Sequence, residues 1–302
     1  MKWYELKEQS AGTKRLMLLW YIYNLLGKNT VKFVVFFVTF FAFLGAKENK
    51  KCSKKYLKIM GIKPNNINVF KHFLSYSYSL VDRIESFSNN YPIEKLIFDD
   101  EKVKEELIED LKERKGIFFI CNHLGNVDIL RSFIFSDWHK EGTDVCVFLS
   151  KEQCKIFNQF IENIGMKHTA DVIPFPIEDV DINTSIELEE RLKKGAITFM
   201  AGDRISANSI NFEANFLSHK VEFPLGTFKL AQMMNASTYF VSAIKIKNDN
   251  YSIHMKKFNF RETKKETLQA MQQEFVSFLE EKTKLAPYQF YHFYDMFADW
   301  FL

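Results

Sequence analysis

Beyond Gly116 the chain alternates short apolar runs with stretches of helical periodicity, and this alternation constrains the fold more than any other feature of the sequence. GIFFIC (116–121), TDVCVFLS (143–150), DVIPF (171–175), AITFMAGD (196–203), STYFVSAIKIK (237–247) and YSIHMKKFNF (251–260) read as strands. Between and after them, NVDILRSFIF, KEQCKIFNQFIENIG ending at Gly165, SIELEERLKKG, PLGTFKLAQMM and ETLQAMQQEFVSFLEEKTK read as helices, and residues 204–222 as a loop to Phe223. A helical stretch from Val69 to Ser86 and a charged amphipathic helix within DDEKVKEELIEDLKERKG precede the first strand. Strands separated by helices of ten to fifteen residues predict an α/β fold: a mixed, mostly parallel sheet flanked by helices. No internal repeat or low-complexity linker divides this body. The expected organisation is an N-terminal helical region over residues 1–60 and one α/β domain over 61–302.

The N-terminal region has a different character. LMLLWYIYNLLG begins at Leu16, KNTVK interrupts it, and FVVFFVTFFAFLGA runs from Phe33 to Ala46. The second run has 14 residues, fewer than the ~20 a helix needs to cross a bilayer. It lacks the small-residue cleavage site of a secretory signal and is followed by six lysines between Lys47 and Lys58. Residues 1–58 hold twelve Lys and Arg against three Glu, a net +9, which leaves −6 for the rest of a chain of net charge +3. That distribution argues against nucleic acid as a partner and for an anionic surface at one end. Phe 32, Tyr 12 and Trp 4 bring aromatics to 16% of the residues, an excess that favours a lipid boundary or lipid pocket. The apolar runs are therefore expected to embed in the cytoplasmic face of a membrane as a hairpin or oblique helix, with the lysines at its anionic surface. The alternative is a pair of buried core helices. Cys52, Cys121, Cys146 and Cys154 show no C-x-x-C spacing, and Cys121 and Cys146, which sit in apolar runs, read as reduced core residues of a cytosolic body.

Several sites are absent from the sequence: a G-x-S-x-G elbow, a Walker A loop, and a G-x-G-x-x-G after a strand. The histidines show no metal-binding spacing, so no metal and no bound cofactor are expected. What remains is a histidine with a carboxylate five residues on. With 38 Asp and Glu in 302 residues, the seven histidines should give about one such pair by chance, and the chain has two: His123 with Asp128, and His139 with Asp144. His123 follows directly on the strand GIFFIC, where α/β proteins place reactive groups, whereas His139 lies in a polar turn. Asp128 could accept a hydrogen bond from one nitrogen of His123, leaving the other as a general base. Gly125 would leave room for substrate, and nearby backbone amides or Asn122 would hold an oxyanion. A helix-capping histidine beside a chance carboxylate fits the local sequence equally well. At the end of AITFMAGD, Arg204 of the Gly202-Asp203-Arg204 cluster is placed to hold a phosphate or other anionic group, or simply to pair with Asp203 at the surface. Phe223-Pro224-Leu225-Gly226 reads as a helix start with Pro224 as its first residue.

Together these features form an ordered set: an apolar basic N-terminus, His-x4-Asp after a strand, Gly-Asp-Arg about 80 residues on, and Phe-Pro-x-Gly-x-Phe about 20 further. The set resembles the lysophospholipid acyltransferase superfamily, and most closely its lipid A biosynthesis acyltransferase branch. The similarity runs from Trp3 and EQSAGTKRLMLLWYIYNLLGK through ERLKKGAITFMAGDR and FPLGTFKLA to PYQFYHFYDMF. It implies a transferase moving a fatty acyl group from acyl carrier protein or coenzyme A to a hydroxyl or amine of a lipid acceptor at the bacterial inner membrane. The family's catalytic pair falls on His123 and Asp128. Its substrate-binding blocks fall on Gly202, Asp203 and Arg204, and on Phe223, Pro224 and Gly226. Asp128 stands where lipid A enzymes commonly carry Glu, and the fuller Glu-Gly-Thr-Arg block of glycerophosphate enzymes is missing. A non-catalytic lipid-binding protein of the same fold and an acyl thioesterase are the rival readings.

Overall fold

The structure, a computed structural model, describes residues 13–87, 91–134, 143–164, 172–206 and 209–297. Trp3, His139 and Gly165 lie outside the described residues. The chain opens with a long apolar helix, α1 (Thr13–Gly45), followed by α2 (Lys47–Ile59) and α3 (Asn66–Phe87). KNTVK does not separate two apolar runs. It is helical, and the interruption falls one residue earlier at Gly27, whose φ of 76° and ψ of 171° kink α1. The lysines of this segment have acidic partners in the body. Lys28 Nζ lies 2.5 Å from Glu85 and 3.1 Å from Asp82 of α3, and Lys32 Nζ lies 2.8 Å from Asp249. Lys245 closes the network with contacts of 2.5 Å to Asp82 and 3.0 Å to Asp249. The lysines that break the apolar pattern thus fasten α1 to the body.

By length and composition Met17–Gly45, with a mean hydropathy of 1.5, suffices to cross a membrane, and little of it is buried. Val31, Val35, Thr39 and Phe43 face the body, while Leu25, Phe33, Phe37 and Phe41 are exposed. In α2, Lys47, Lys51, Lys54 and Lys58 are exposed, and their spacings of 4, 3 and 4 put them on one face of the helix.

The body is α/β. A seven-stranded sheet contains β1 (Leu96–Phe98), β2 (Ile117–Cys121), β3 (Val145–Leu149), β4 (Val172–Pro176), β5 (Ile197–Ala201), β8 (Ser237–Lys245) and β9 (Tyr251–Phe258), in the order β1-β9-β8-β2-β5-β3-β4. All neighbours are parallel except β8 and β9. The connecting helices are α4 (Glu101–Lys112), α5 (Leu130–Phe133), α6 (Lys151–Ile164), α7 (Ile182–Lys193), α8 (Gly226–Met234) and α9 (Lys264–Leu285). Alternate residues of β2 enter different cores. Phe118 and Ile120 pack with residues of α7, α8 and α9, while Ile117, Phe119 and Cys121 pack with residues of α4 and α5. A strand covered on both faces must be apolar at every position, which is why GIFFIC shows no alternation. Phe118 is fully buried, and truncating such a side chain to Ala costs about 3–5 kcal/mol.

Two expectations fail here. The loop expected before Phe223 is a hairpin, β6 (Asn211–Phe216) with β7 (His219–Pro224), paired from Asn211–Pro224 to Phe216–His219. Its two-residue turn is Leu217-Ser218, with φ of 52° and 64°, so it lacks the Asn-Gly or Asp-Gly signature of such turns. Pro224 does not begin a helix. It ends β7, Leu225 caps α8, and Gly226 is the first helical residue. The three-residue strand β1 also carried no signal in the sequence.

Candidate functional site

β2 and β5 are adjacent and parallel, with Cys121 opposite Ala201. Their carboxyl ends therefore lie side by side, and His123 and Asp203, each two residues further, meet. Gly202 N–H continues the ladder to Cys121 O at 2.9 Å. A Cβ on Gly202 would stand 2.9 Å from Ile120 and 3.1 Å from Phe275, so this glycine is needed for packing rather than for touching substrate.

Asp203 is fully buried at its side chain and receives three N–H groups. The backbone N–H of His123 donates to Oδ2 at 2.7 Å and His123 Nδ1 to Oδ1 at 2.8 Å. His292 Nε2 donates to Oδ2 at 2.9 Å. Burial alone would raise the Asp203 carboxyl; the charge His123 carries when protonated, with hydrogen bonds from both histidines, instead holds it well below the ordinary range. An ionised carboxylate only accepts, so His123 carries its proton on Nδ1 and Nε2 is left as a base. The His123 side chain is 34% exposed. Burial, then the Arg204 charge, lower its pKa against the pull of Asp203, which keeps the ring neutral at pH 7. Asp203 is buried, not at the surface as a surface pair with Arg204 would need. Arg204 Nη2 donates to Tyr291 O at 2.8 Å.

The partner of Asp128 also differs from expectation. Asp128 Oδ2 lies 2.5 Å from Arg83 Nε, and Ser86 Oγ donates to the Asp128 carbonyl at 2.7 Å. The cause is the path of the chain after His123. Gly125 adopts φ +71°, its N–H donates to Gln289 O at 2.8 Å, and Asn126 N–H donates to Ala243 O at 2.8 Å. The turn Val127–Ile129 is thereby delivered to α3, where Arg83 takes the carboxylate.

The same contacts overturn the expected oxyanion site. His123 N–H is engaged by Asp203, Leu124 N–H by Asn122 Oδ1, and the next two amides as described. Asn122 is buried, with Nδ2 donating to Ser242 Oγ at 2.8 Å and to Val241 O at 3.2 Å, so its amide holds β8. The space at Gly125 is filled by protein, since a Cβ there would stand 1.8 Å from Ala243 O. Phe223 and Pro224 are buried, and nothing lies within 4 Å of a Cβ on Gly226. The proline–glycine block is thus joined to the site through its neighbour: Thr227 Oγ1 donates to Ala201 O at 2.7 Å, bracing the end of β5. Arg83 and Arg204 are the cations whose charges bear on His123.

His292 and Tyr294 went unassigned in the sequence. They lie in PYQFYHFYDMF, which passes along the His123 turn: Tyr291 N–H donates to His123 O at 3.0 Å, and Leu124 bridges Phe290. A histidine inside an aromatic run was the available signal. The ligand atoms of His123, Asp203 and His292 lie within 4.8 Å of one another, a set that could hold a metal ion. A metal would have to displace both ring protons that point at Asp203, and Arg204 adds positive charge beside them. A depression bounded by Ile59, Met60, Leu217, Ser218 and Lys284 includes none of these residues.

No protein-family profile matches the chain, and no curated protein sequence matches it.

Proposed function

We propose that the chain is a membrane-associated acyltransferase, moving a fatty acyl group from an acyl thioester to a hydroxyl or amine of a lipid acceptor. The observation that carries this reading is a partly exposed, neutral His123 whose Nδ1–H is held by a buried, ionised Asp203. Such a histidine is an oriented general base. Its Nε2 takes the proton of the acceptor O–H or N–H as the freed lone pair attacks the thioester carbonyl carbon. The tetrahedral oxyanion collapses, the C–S bond breaks, and the imidazolium returns the proton to the leaving thiolate. Asp203, rather than Asp128, orients the ring and stabilises the imidazolium. Arg83, fixed by Asp128, and Arg204 supply positive charge for the oxyanion or for an anionic head group.

The exposed aromatic face of α1 supports placement in a lipid surface, and the lysine face of α2 supports the anionic cytoplasmic side of the bacterial inner membrane. The ordered motifs shared with the lysophospholipid acyltransferase superfamily favour acyl carrier protein or coenzyme A as donor. The test compares whole-cell lipids by mass spectrometry from a host lacking the gene, complemented with wild type or His123→Ala. A species one acyl group heavier than its precursor, present only with wild type, is the expected result. Thiol release that needs no acceptor would make the protein a thioesterase. Identical lipids together with no thiol release would leave a lipid-binding protein.

A further inference from the structure

Asp203 is held from two sides, and only one of them is the base. On the other side His292 is 2% exposed at its side chain, with its ring stacked on Phe290 at 4.0 Å. Its Nε2–H points at Asp203 Oδ2, so in the neutral ring Nδ1 is the acceptor, and Tyr294 O–H donates to it at 2.6 Å. Tyr294 and His292 are both buried, and their bonds converge on Asp203: Tyr294 donates to His292, His292 donates to Asp203, and His123 donates to the same carboxylate from the other side.

We propose that His292 and Tyr294 are positioning residues for the base, fixing the rotamer and hydrogen bonding of Asp203 so that His123 holds its proton on Nδ1 and leaves Nε2 open. The assignment rests on the acyl-transfer reading for its purpose, but not for its test. The charged and titratable groups facing His292 are Asp203 and Arg204 from the turn after β5, His123 from the turn after β2, and Tyr294 from its own segment. Burial drives the His292 pKa down to about 4 against the opposing effect of Asp203. The ring is therefore neutral at working pH and does not compete with His123 for the charge. A simple packing role for His292 would need only its ring; holding Asp203 needs its N–H.

The test uses full-length protein labelled with 15N-histidine in detergent micelles, read by long-range proton–nitrogen spectra across pH 4–9. Wild type should show His123 as a single Nδ1–H tautomer. His292→Phe keeps a ring on Phe290 and removes the N–H. It should give mixed His123 tautomers and raise the His123 midpoint by about half to one pH unit, a three- to tenfold change in proton affinity, because Asp203 shares its charge with one donor fewer. His292→Gln, whose amide can reach the same carboxylate oxygen, should restore the single tautomer. If His292→Phe does not fold, Tyr294→Phe, which deletes one oxygen, should still disperse the tautomers by freeing His292 to turn. Wild-type tautomer and midpoint in the folded variant would overturn the proposal. These spectra need no substrate, so a failed acylation assay leaves them interpretable. If acylation is present, kcat should fall about tenfold in His292→Phe with unchanged KM and recover in His292→Gln.

Discussion

Exchanging the two aspartates for asparagine, one at a time, separates the carboxylate that works through His123 from the one that does not. In Asp203→Asn the side chain keeps its shape but loses its charge, and one of its two oxygens becomes an NH2. Three N–H groups now converge at 2.7, 2.8 and 2.9 Å on a group with one acceptor. An NH2 turned toward His123 moves the ring proton to Nε2, the atom needed as base. The wrong tautomer with no carboxylate behind it costs on the order of 10⁴ in rate, and removing the base outright costs about 10² to 10⁴. Asp128→Asn loses an ion pair to Arg83 whose side chains are 27% and 40% exposed, a contact worth about 0–1 kcal/mol, together with a charge that favours the buried Arg131 cation; neither acts through His123, and its rate should fall less than tenfold. The assay is thiol release from an acyl thioester by detergent-extracted protein, with total lipid from the native host as acceptor and unfolding temperature as a control. If Asp128→Asn were as inactive as His123→Ala while Asp203→Asn turned over normally, the assignment of roles would be refuted.

Other outcomes follow from the same geometry. Gly125→Ala must place Cβ 1.8 Å from a backbone oxygen at φ +71°, so it should lose more than about 4 kcal/mol and its cooperative thermal transition. Gly226→Ala, with no atom within 4 Å, should melt within about 1 kcal/mol of wild type. Because the His123 pKa is lowered from 6.5, the acid limb of the rate profile should lie below pH 6.5, and an inflection at or above pH 7 would contradict a neutral resting base. His72 and His292 are buried with pKa values lowered to about 4. The unfolded chain binds their protons first, so stability should hold above pH 6.5 and fall from there to pH 4 by up to about 3 kcal/mol per histidine, seen as a falling unfolding temperature. Phe37→Glu with Phe41→Glu should weaken sedimentation with anionic vesicles at least tenfold. That pair is a cleaner probe than deleting residues 1–46, which would also remove Lys28 and Lys32 and expose Asp82. Undiminished pelleting would count against α1 as the lipid contact.

Most of the body was legible because each strand has two buried faces, which makes it uniformly apolar, and each helix has one. The β6–β7 hairpin was not, because Leu217 and Ser218 adopt positive φ without the glycine that announces such turns. The site divided in the same way. His123 stood out as a polar residue at the end of an apolar strand. Its partner was misread because Asp128 is near in sequence, whereas Asp203 is near through a strand pairing 80 residues long in separation. Asn122 and Gly125 were read as facing substrate for want of any view of β8, which takes the side chain of one and the space beside the other.

The pairing of Cys121 with Ala201 has a consequence for how this chain can vary. His123 and Asp203 are set opposite each other by counting two residues from one rung of the ladder, and side chains along a strand alternate between faces. Inserting a single residue into either β2 or β5 would keep every local motif readable and turn His123 and Asp203 to opposite sides of the sheet. At these two strand ends the chain has no tolerance for a change of length, whatever residues it carries there.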